Sequence, residues 1–410
     1  MSRNLFVGQF LNSYGDGHSR IRNVNFKEGG ILPFSTFPFK GNVICAKKGK
    51  LLHEDYPYLH SINGVEVARL LEVSGAYFTP NASAQFKQSV KVGRLNRIGE
   101  ILSILGKDKN MLRVKLRSEK GAIWEMDQPI AVEEYKRFEE LTLIEKMQLL
   151  DELQNNDPFE VRQFEEIGYL KIESMKGLED GLELPLSELE ESEALIIDVR
   201  DNGGGRRDIL LNLAPHFISN EQSFVVGNVA RFRTNTPSKH KSLKDRYLYP
   251  LEDKIFDGAA RNQLTSWMSN FMPNISLNDS LYSPNFYLYI KGHDSAKFSN
   301  IPTVILMNEG CYSATDIFLS TFKEIEGVTL IGTASGGGSG RAQKYQLDHS
   351  VVELQLSSIV SYQPNGELYD GVGVQPDIEV PPKSVSDILK ETDSQLDFAI
   401  DFLKQELKKR

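Results

Sequence analysis

The chain of 410 residues has few cysteines and no long apolar run. Its two cysteines, Cys45 and Cys311, cannot form a disulfide framework and are not clustered as the ligands of a zinc site are. No apolar stretch approaches the roughly 18 residues that a membrane-spanning helix needs. Positive charge is not in excess either, because 47 Lys and Arg residues stand against 56 Asp and Glu residues, a net charge of −9. A disulfide-rich scaffold, a membrane span and a broad nucleic-acid-binding surface are therefore excluded.

What the chain does have is the composition of a globular protein, with 40% apolar and 25% charged residues. Its length predicts two or three domains at about 150 residues each. The chain begins without a basic segment followed by an apolar one, as a secretory signal would have. The compartment stays open: periplasmic or secreted if an N-terminal signal has been removed, and cytoplasmic otherwise.

The first third of the chain, from residue 26 to about 128, is predicted to be rich in β-strands with one short helix. Short apolar runs such as Gly41–Cys45 and Met111–Leu116 are separated by turn-forming residues, and Asn63-Gly64 is typical of a tight turn between strands. The helix is expected to begin at Val67. The charged stretch from 131 to 154 has apolar residues at near-helical spacing and predicts an amphipathic helix or two.

Beyond residue 166 strands alternate with helices, which indicates an α/β layer. The run Ala194–Arg200 is typical of a strand that is buried on both faces of a sheet. The C-terminal segment from Asp393 has a capping residue, an apolar stripe and a basic end, and predicts a helix. Residues 235–300 form a large insertion, either a packed helical excursion or a lid over a cleft.

Three loops have the composition of a catalytic site. The first, Asp198–Gly205, lies between a buried strand and a helix and ends in three glycines, whose N–H groups can face an anion or an oxyanion. It lacks the spacing of a phosphate-binding or dinucleotide-binding loop, and a plain turn is the alternative. The second contains Ser313 just before a helix, as a nucleophile or as a helix cap. The third loop holds His18 among small residues. In the second loop, Cys311 is a weaker candidate nucleophile than Ser313.

Four segments, in this order, resemble motifs of the C-terminal-processing (tail-specific) serine peptidases, and within them the tricorn-core-like branch. They are Asp16-Gly17-His18-Ser19, Leu195–Gly205, Ser313-Ala314-Thr315-Asp316 and Gly366–Asp377. No single motif is diagnostic, but the four run across nearly the whole chain. The loop Ser335–Arg341 lacks the lysine of the family's Ser-Lys branch, which favours a Ser-His-acid triad.

The resemblance implies the role of each site residue. Ser313 is the implied nucleophile, His18 the general base, and Asp370 the acid, where the family more often has Glu. The implied oxyanion hole consists of backbone N–H groups of Gly204, Gly205 and Ala314. The chemistry needs no metal or organic cofactor, and its partner is a peptide or protein substrate.

The resemblance also implies an α/β fold, with a spiral ββα (crotonase/ClpP-like) catalytic domain and a smaller β-rich, PDZ-like domain. The expected divisions are an N-terminal segment 1–25 with the catalytic His, a PDZ-like domain 26–128, a helical connector 129–165 and a catalytic domain 166–410. The implied function is an endopeptidase or carboxy-terminal-processing protease that forms an acyl-enzyme on Ser313.

Two other functions stay open at this point. One is a catalytically silent peptide-binding homologue in which Ser313 is only a helix cap. The other is an acyl-CoA hydratase or hydrolase on the related crotonase-like fold. Arg206 and Arg207, next to the glycine loop, are candidates to hold a peptide or its carboxylate, with surface packing as the alternative. The oligomeric state is not determined.

Overall fold

The structure is a computed structural model, and it describes residues 18–22, 30–78, 82–131, 159–176, 181–234, 242–293, 296–346 and 353–410. The amphipathic segment predicted between residues 131 and 154 lies almost wholly outside these ranges. Most of the predicted N-terminal segment 1–25 also lies outside them, although His18 itself is described.

The described strands form four sheets. In chain order they are β1 (Arg20–Arg22), β2 (Ser35–Phe39), β3 (Asn42–Lys47), β4 (Lys50–Leu51), β5 (Tyr58–Ile62), β6 (Val65–Glu66), β7 (Met111–Arg117), β8 (Ile123–Pro129), β9 (Phe159–Phe164), β10 (Ile167–Ile172), β11 (Ala194–Asp198), β12 (Phe224–Phe232), β13 (Tyr249–Pro250), β14 (Phe286–Lys291), β15 (Thr303–Met307), β16 (Val328–Gly332), β17 (Ala342–Gln346), β18 (Glu353–Ser357), β19 (Ile359–Tyr362) and β20 (Ile378–Glu379).

The helices lie between and after these strands. They are α1 (Val67–Phe78), α2 (Ala84–Gly93), α3 (Ile98–Ile104), α4 (Glu183–Glu188), α5 (Asp208–Leu213), α6 (Gly258–Met268), α7 (Ala314–Lys323), α8 (Val385–Ile388) and α9 (Ser394–Leu407). None of these helices is long and apolar enough to span a membrane. The predicted α/β class is confirmed at this level.

A six-stranded sheet, called the large sheet below, has the strand order β20-β16-β15-β11-β10-β9 and is parallel except for β9 at its edge. On β11, Leu195 and Ile197 pack against α5 and α7, whereas Ala194 and Ile196 pack against α9. Successive side chains of a strand point to opposite faces. Helices therefore cover both faces of this sheet, and the strand predicted from the apolar run is confirmed.

A second, antiparallel sheet, β13-β14-β12-β19, lies on the other side of α7. Every residue of α7 from Ala314 to Phe322 is buried, because this helix packs between the two sheets. The outer face of the second sheet is covered by the insertion, whose Phe256 and Leu264 pack with Val229 and Tyr287. In the described residues 242–293 the insertion is thus a packed excursion.

The first third of the chain has its own core and a sheet with the order β2-β3-β5-β7-β8. The predicted strands and the Asn63-Gly64 turn are confirmed, but the expectation of one short helix is wrong, since α1, α2 and α3 all lie here. The start of α2 is capped by Ser83, which accepts the Phe86 N–H. The helix α3 buries Ile98 and Ile101.

The segment expected to be a helical connector up to residue 165 requires a correction at its end. Phe159–Phe164 forms β9, which pairs antiparallel with β10 through a tight turn. Its buried Phe159 joins the core beneath the large sheet, and partly exposed residues follow. Only one of the six residues of β9 is buried, so its sequence carries a weak apolar pattern.

A three-stranded sheet of β1, β18 and β17 joins the start of the described chain to its last third. Arg20 pairs with Gln355 and Arg22 with Glu353 in an antiparallel register. The Gln355 side chain also donates to the backbone carbonyl of His18 at 3.2 Å. This pairing carries His18 to the carboxyl edge of the parallel strands.

A partly buried ion network links the large sheet to α9. Arg200 donates to Asp198 at the end of β11 and, through two nitrogens at 2.7 Å each, to Asp393, which caps α9. Tyr169 also donates its hydroxyl to Asp198 at 2.9 Å. Asp198 is 1% exposed, so its charge depends on these partners.

We predict that Arg200→Met lowers the free energy of unfolding by about 3–5 kcal/mol, because it leaves the buried Asp198 carboxylate without its cation. Arg69→Met is the matched control: Arg69 pairs with Glu72 on an exposed helix face and should change stability by no more than about 0.5–1 kcal/mol. Urea unfolding of both variants measures the difference. Equal losses of unfolding free energy in the two variants would show that the Arg200 network contributes no more than an exposed ion pair.

Candidate active site

Ser313 stands at the turn from β15 into α7 with an unusual backbone conformation. Its φ is 61° and its ψ is −110°, whereas a helix-capping residue normally has an extended backbone. A positive φ costs a non-glycine residue free energy and occurs preferentially at functional sites. The Ser313 side chain is half-buried at the carboxyl edge of the parallel strands. Its conformation therefore differs from that of an ordinary cap.

The glycine loop lies directly against this turn. Gly204 has a φ of 91°, and a Cβ atom there would lie 2.4 Å from the Tyr312 carbonyl oxygen and 2.8 Å from the Ala314 nitrogen. It would also come within 3.0 Å of the Ser313 Cβ atom. Only glycine permits both this backbone angle and this approach. The glycine run that was predicted as a candidate site is thus in contact with the candidate nucleophile.

Asn202 holds the two loops together from below. Its side chain is fully buried, donates to the Ile172 carbonyl at 2.8 Å, and accepts from the Gly204 N–H at 3.0 Å and the Thr315 hydroxyl at 2.8 Å. Its backbone carbonyl accepts the Tyr312 N–H at 3.1 Å. One amide side chain therefore links β10, the glycine loop and the first turn of α7.

Asp316 performs a similar task on the other side of the serine turn. The buried carboxylate accepts the Ser313 N–H at 2.7 Å, the Ser335 hydroxyl at 2.5 Å, and the N–H groups of Gly337 and Gly338 at 3.1 and 3.0 Å. Burial raises the pKa of the Asp316 carboxyl to about 7, and these hydrogen bonds oppose that rise. Asp316 thus fastens the loop 335–338 to the serine turn.

Two of the three predicted oxyanion-hole donors are open. In the described part of the chain, no group accepts a hydrogen bond from the backbone N–H of Gly205 or of Ala314. The third, the Gly204 N–H, is donated to Asn202. Ala314 is the first residue of α7, where the N–H groups have no partner within the helix. Gly205 and Ala314 both line the cavity next to Ser313.

His18 lies beside the residue that precedes Ser313. Its ring stacks on Tyr312 with centroids 5.2 Å apart, and the Tyr312 hydroxyl is 3.4 Å from His18 Nδ1. Phe86 of α2 stacks on Tyr312 with centroids 5.3 Å apart. The structure thus brings His18 to the serine turn, although among the described residues no hydrogen bond joins it to Ser313.

Asp370 lies in the loop after β19, which meets the glycine-rich loop that Asp316 holds. The Gly371 N–H donates to the Gly337 carbonyl at 3.4 Å. The negative charge of Asp370 raises the pKa of Arg246, against a larger lowering by burial, so Asp370 lies near that guanidinium. The pairing of Asp370 with His18 stays a prediction.

Two further residues bear on the chemistry: the weaker candidate nucleophile Cys311, and Lys344, the first lysine after the loop Ser335–Arg341. Cys311 is fully buried and its thiol donates to the Val199 carbonyl at 3.0 Å. Burial raises the pKa of this thiol, which disfavours the reactive thiolate. Lys344 lies on β17 and pairs with Glu353 at 3.5 Å. Within the described ranges, no three His, Cys, Asp or Glu side chains could together hold a metal ion.

A cavity of about 200 Å³ opens beside Ser313 and Ala314. Its other walls include Gly205 of the glycine loop, the adjacent Arg207, and Arg246 from the insertion. The sequence motifs point to Arg207 as a residue of this cavity but not to Arg246. They also do not predict the site contacts of Tyr312, Phe86 and Asn202. Only Asn202, inside the glycine-loop motif, had a local signal; the others become visible through tertiary contacts.

Comparison with known proteins gives three findings. A model of the family described as Peptidase family S41 matches residues 166–380, just over half of the chain. An uncharacterized protein of Chlamydia muridarum (strain MoPn / Nigg) is 25% identical over 215 residues, which are 47% of this chain and 35% of that protein. The chain therefore matches only about a third of that relative's length.

Two solved structures resemble the fold over nearly all of the chain. Mature CPAF complexed with lactacystin is 15% identical, with a TM-score of 0.64 over 99% of this chain and 88% of that one. Mature CPAF is 16% identical, with a TM-score of 0.60 over 98% and 85%. At such identities the likeness is one of fold.

We predict that Asn202→Ala lowers the free energy of unfolding by about 3 kcal/mol, because it removes three side-chain hydrogen bonds and leaves buried polar groups without partners. Asn110→Ala, at an exposed turn, should stay within about 0.5 kcal/mol of the parent protein. Thermal and urea unfolding of both variants measure this. A loss no larger than the control's would contradict the linking role of Asn202.

Proposed function

The chain belongs to peptidase family S41, and from this premise we propose that it is a serine peptidase that forms an acyl-enzyme on Ser313. Its substrates are peptides or proteins, as the family membership implies. The observation that carries the proposal is the left-handed backbone of Ser313, held at the start of α7 against a glycine loop with open N–H groups. These are the groups that an acyl transfer needs around a nucleophile.

In the proposed reaction His18 is the general base. A serine hydroxyl needs a base within about 2.6–3.2 Å to become a nucleophile. His18 takes the proton from Ser313 Oγ as that oxygen bonds to the carbonyl carbon, and then gives the proton to the leaving amine as the C–N bond breaks. Water, activated by the same imidazole, releases the acid product and restores Ser313. Catalytic hydrogen bonds often tighten only in the substrate complex, so the proposal does not require a hydrogen bond between Ser313 and His18 in the free protein.

The other site residues have supporting roles in this proposal. Asp370 orients the imidazole of His18 and stabilises its positive charge, a role that an aspartate has in other serine hydrolases. The N–H groups of Gly205 and Ala314 receive the oxyanion of the tetrahedral intermediate. Because the N–H of Gly204 is donated to Asn202, we assign Gly204 to the close approach of the loop.

We further propose the finer architecture that the resemblance implies. Residues 166–410 form a spiral ββα (crotonase/ClpP-like) catalytic domain, residues 26–128 a PDZ-like domain, and residues 129–165 a connector, with the catalytic His in segment 1–25. Support comes from the separate apolar cores of the first third and of the α/β part. The two alternative functions, a silent peptide-binding homologue and an acyl-CoA enzyme, are not favoured by the family match.

We predict that Ser313→Ala abolishes covalent labelling by a fluorophosphonate probe while the melting temperature changes little, because the lost oxygen is the one that attacks phosphorus. Ser280→Ala, in an exposed turn, is the control and should be labelled like the parent. Gel fluorescence and mass spectrometry of the labelled peptide give the readout. Undiminished labelling of the Ser313 variant would remove this residue from the mechanism.

We also predict that the rate of probe labelling rises with pH through a single ionisation near pH 6–7 and then levels. The base must be neutral to accept a proton, and histidine has an ordinary pKa of about 6.5. His18→Ala should lower the labelling rate by about 10³-fold or more. Stopped-time labelling between pH 5 and 10 measures both. A rate that still rises above pH 9 and is insensitive to His18→Ala would point to a lysine base.

A further inference from the structure

The cavity beside Ser313 has an unusual balance of charge. Three arginines and two aspartates line it: Arg206, Arg207, Arg246, Asp208 and Asp245. We call this cavity the arginine pocket. Since Ser313, Gly205 and Ala314 line the same cavity, a group that fills it lies next to the proposed nucleophile and oxyanion hole.

Both aspartates of the arginine pocket are engaged by other groups. Asp208 accepts from Arg206 Nε at 2.8 Å and from the Tyr247 hydroxyl. Asp245 pairs with Arg341 at 2.9 Å, outside the set that lines the pocket. The positive charges of Arg206 and Arg341 therefore largely neutralise the negative charges of Asp208 and Asp245.

In the described part of the chain, the side chains of Arg207 and Arg246 donate their hydrogen bonds to backbone carbonyl groups. Arg207 is 6% exposed and donates Nη1 to the Arg246 carbonyl at 3.0 Å. Arg246 donates to the carbonyls of Ser339 and Gly340 at 3.1 and 3.2 Å. Within the described residues neither guanidinium makes an ion pair with a carboxylate.

The surroundings of these two cations are electrostatically unfavourable. Burial lowers the pKa of Arg207 to about 9 and that of Arg246 to about 10, and the nearby cations Arg246 and Arg341 lower them further. Both groups still carry a proton at neutral pH. The negative charges of Asp245 and Asp370 offset only part of the cost of this burial, so an anion that enters the pocket would stabilise the two cations further.

We propose that the arginine pocket binds a carboxylate of the peptide substrate beside the scissile bond, and that Arg207 and Arg246 are specificity-determining residues for it. The carboxylate comes from an Asp or Glu side chain or from the end of the substrate chain. This inference rests on the proposed peptidase function and names the class of peptide that the enzyme cleaves.

Shape and chemistry agree with this ligand. A cavity of about 150 Å³ can hold a benzene ring, so the arginine pocket is large enough for a glutamate side chain. Guanidinium groups bind carboxylates through paired, charge-assisted hydrogen bonds that are stronger than neutral ones. A neutral Gln or Asn side chain of the same size would bring no negative charge to the two cations.

A purely structural role for Arg246 predicts a different result. Its bonds to Ser339 and Gly340 support the loop next to His18, where a Cβ atom on Gly340 would lie 3.2 Å from the imidazole. Loss of that support would slow the cleavage of all peptides equally. Loss of carboxylate binding would slow only the acidic ones, so the ratio of kcat/KM between matched peptides separates the two roles.

In the first stage of the test, the wild-type protein cleaves a proteome-derived peptide library, and mass spectrometry identifies the cleaved sequences. In the second stage, one cleaved sequence is made as internally quenched peptides in matched pairs. The pairs differ at one position, Glu against Gln, or at the end of the chain, free carboxylate against amide. We expect kcat/KM to be about 10- to 100-fold higher for the acidic member of one pair. The pair that shows this preference identifies the source of the carboxylate.

Arg207→Met and Arg246→Met should each bring that ratio toward one, mainly by raising KM, whereas Arg69→Met on an exposed helix should leave it unchanged. Arg246→Lys keeps the charge and should retain part of the preference, which provides a second variant if a Met variant does not fold. A wild-type enzyme that cleaves both members of both pairs equally overturns the proposal without any variant.

Failure of this inference and failure of the proposed function give different results. Labelling of Ser313 by the fluorophosphonate probe together with equal kcat/KM values would refute the arginine pocket as a carboxylate site and leave the peptidase intact. If the protein is neither labelled nor active, the peptidase fails. Fluorescence anisotropy with labelled Glu and Gln peptides and the Ser313→Ala variant then still tests the pocket, and equal affinities would overturn it.

Discussion

The contact between the glycine loop and the serine turn is the constraint on which the rest of the site depends. A side chain at Gly204 would meet the backbone of residues 312 and 314 at 2.4 and 2.8 Å, so the two loops can touch only as bare backbone. Asn202 and Asp316 hold them in that position from two sides. The open N–H groups and the adjacent cavity exist because this contact is made.

The site is built from buried polar groups at the carboxyl edge of a parallel sheet, where α/β proteins commonly bind ligands. Each of these groups would be costly without partners, and Asn202 and Asp316 have several. The buried Asp198 also has its partners, because Arg200 pairs with it and links the end of β11 to Asp393, the cap of α9. The sheet edge is thereby rigid on both sides of the serine turn, which is what pre-organised donors require.

The first third of the chain takes part in the site through α2. Phe86 stacks on Tyr312, which in turn stacks on His18. The Ser83 N–H donates to the Gly336 carbonyl at 2.9 Å, and Ser89 donates to Glu309 at 2.7 Å. The loops around the candidate nucleophile are therefore packed between the α/β layers and a helix of a region with its own core. His18 stacks on Tyr312, and Phe86 of the first third supports Tyr312.

Local pattern alone predicted much of this protein: the doubly buried strand at Ala194–Arg200, the loop that presents Ser313, and the capped terminal helix. Those features follow from interactions between residues that are close in sequence, so the local pattern is sufficient to predict them. It did not predict that β1 pairs with β18, that Phe86 reaches Tyr312, or that Arg246 joins Arg207 beside the cavity. Such contacts join residues tens to hundreds of positions apart. Only the packing of sheets and helices selects them, because many partners are locally equivalent.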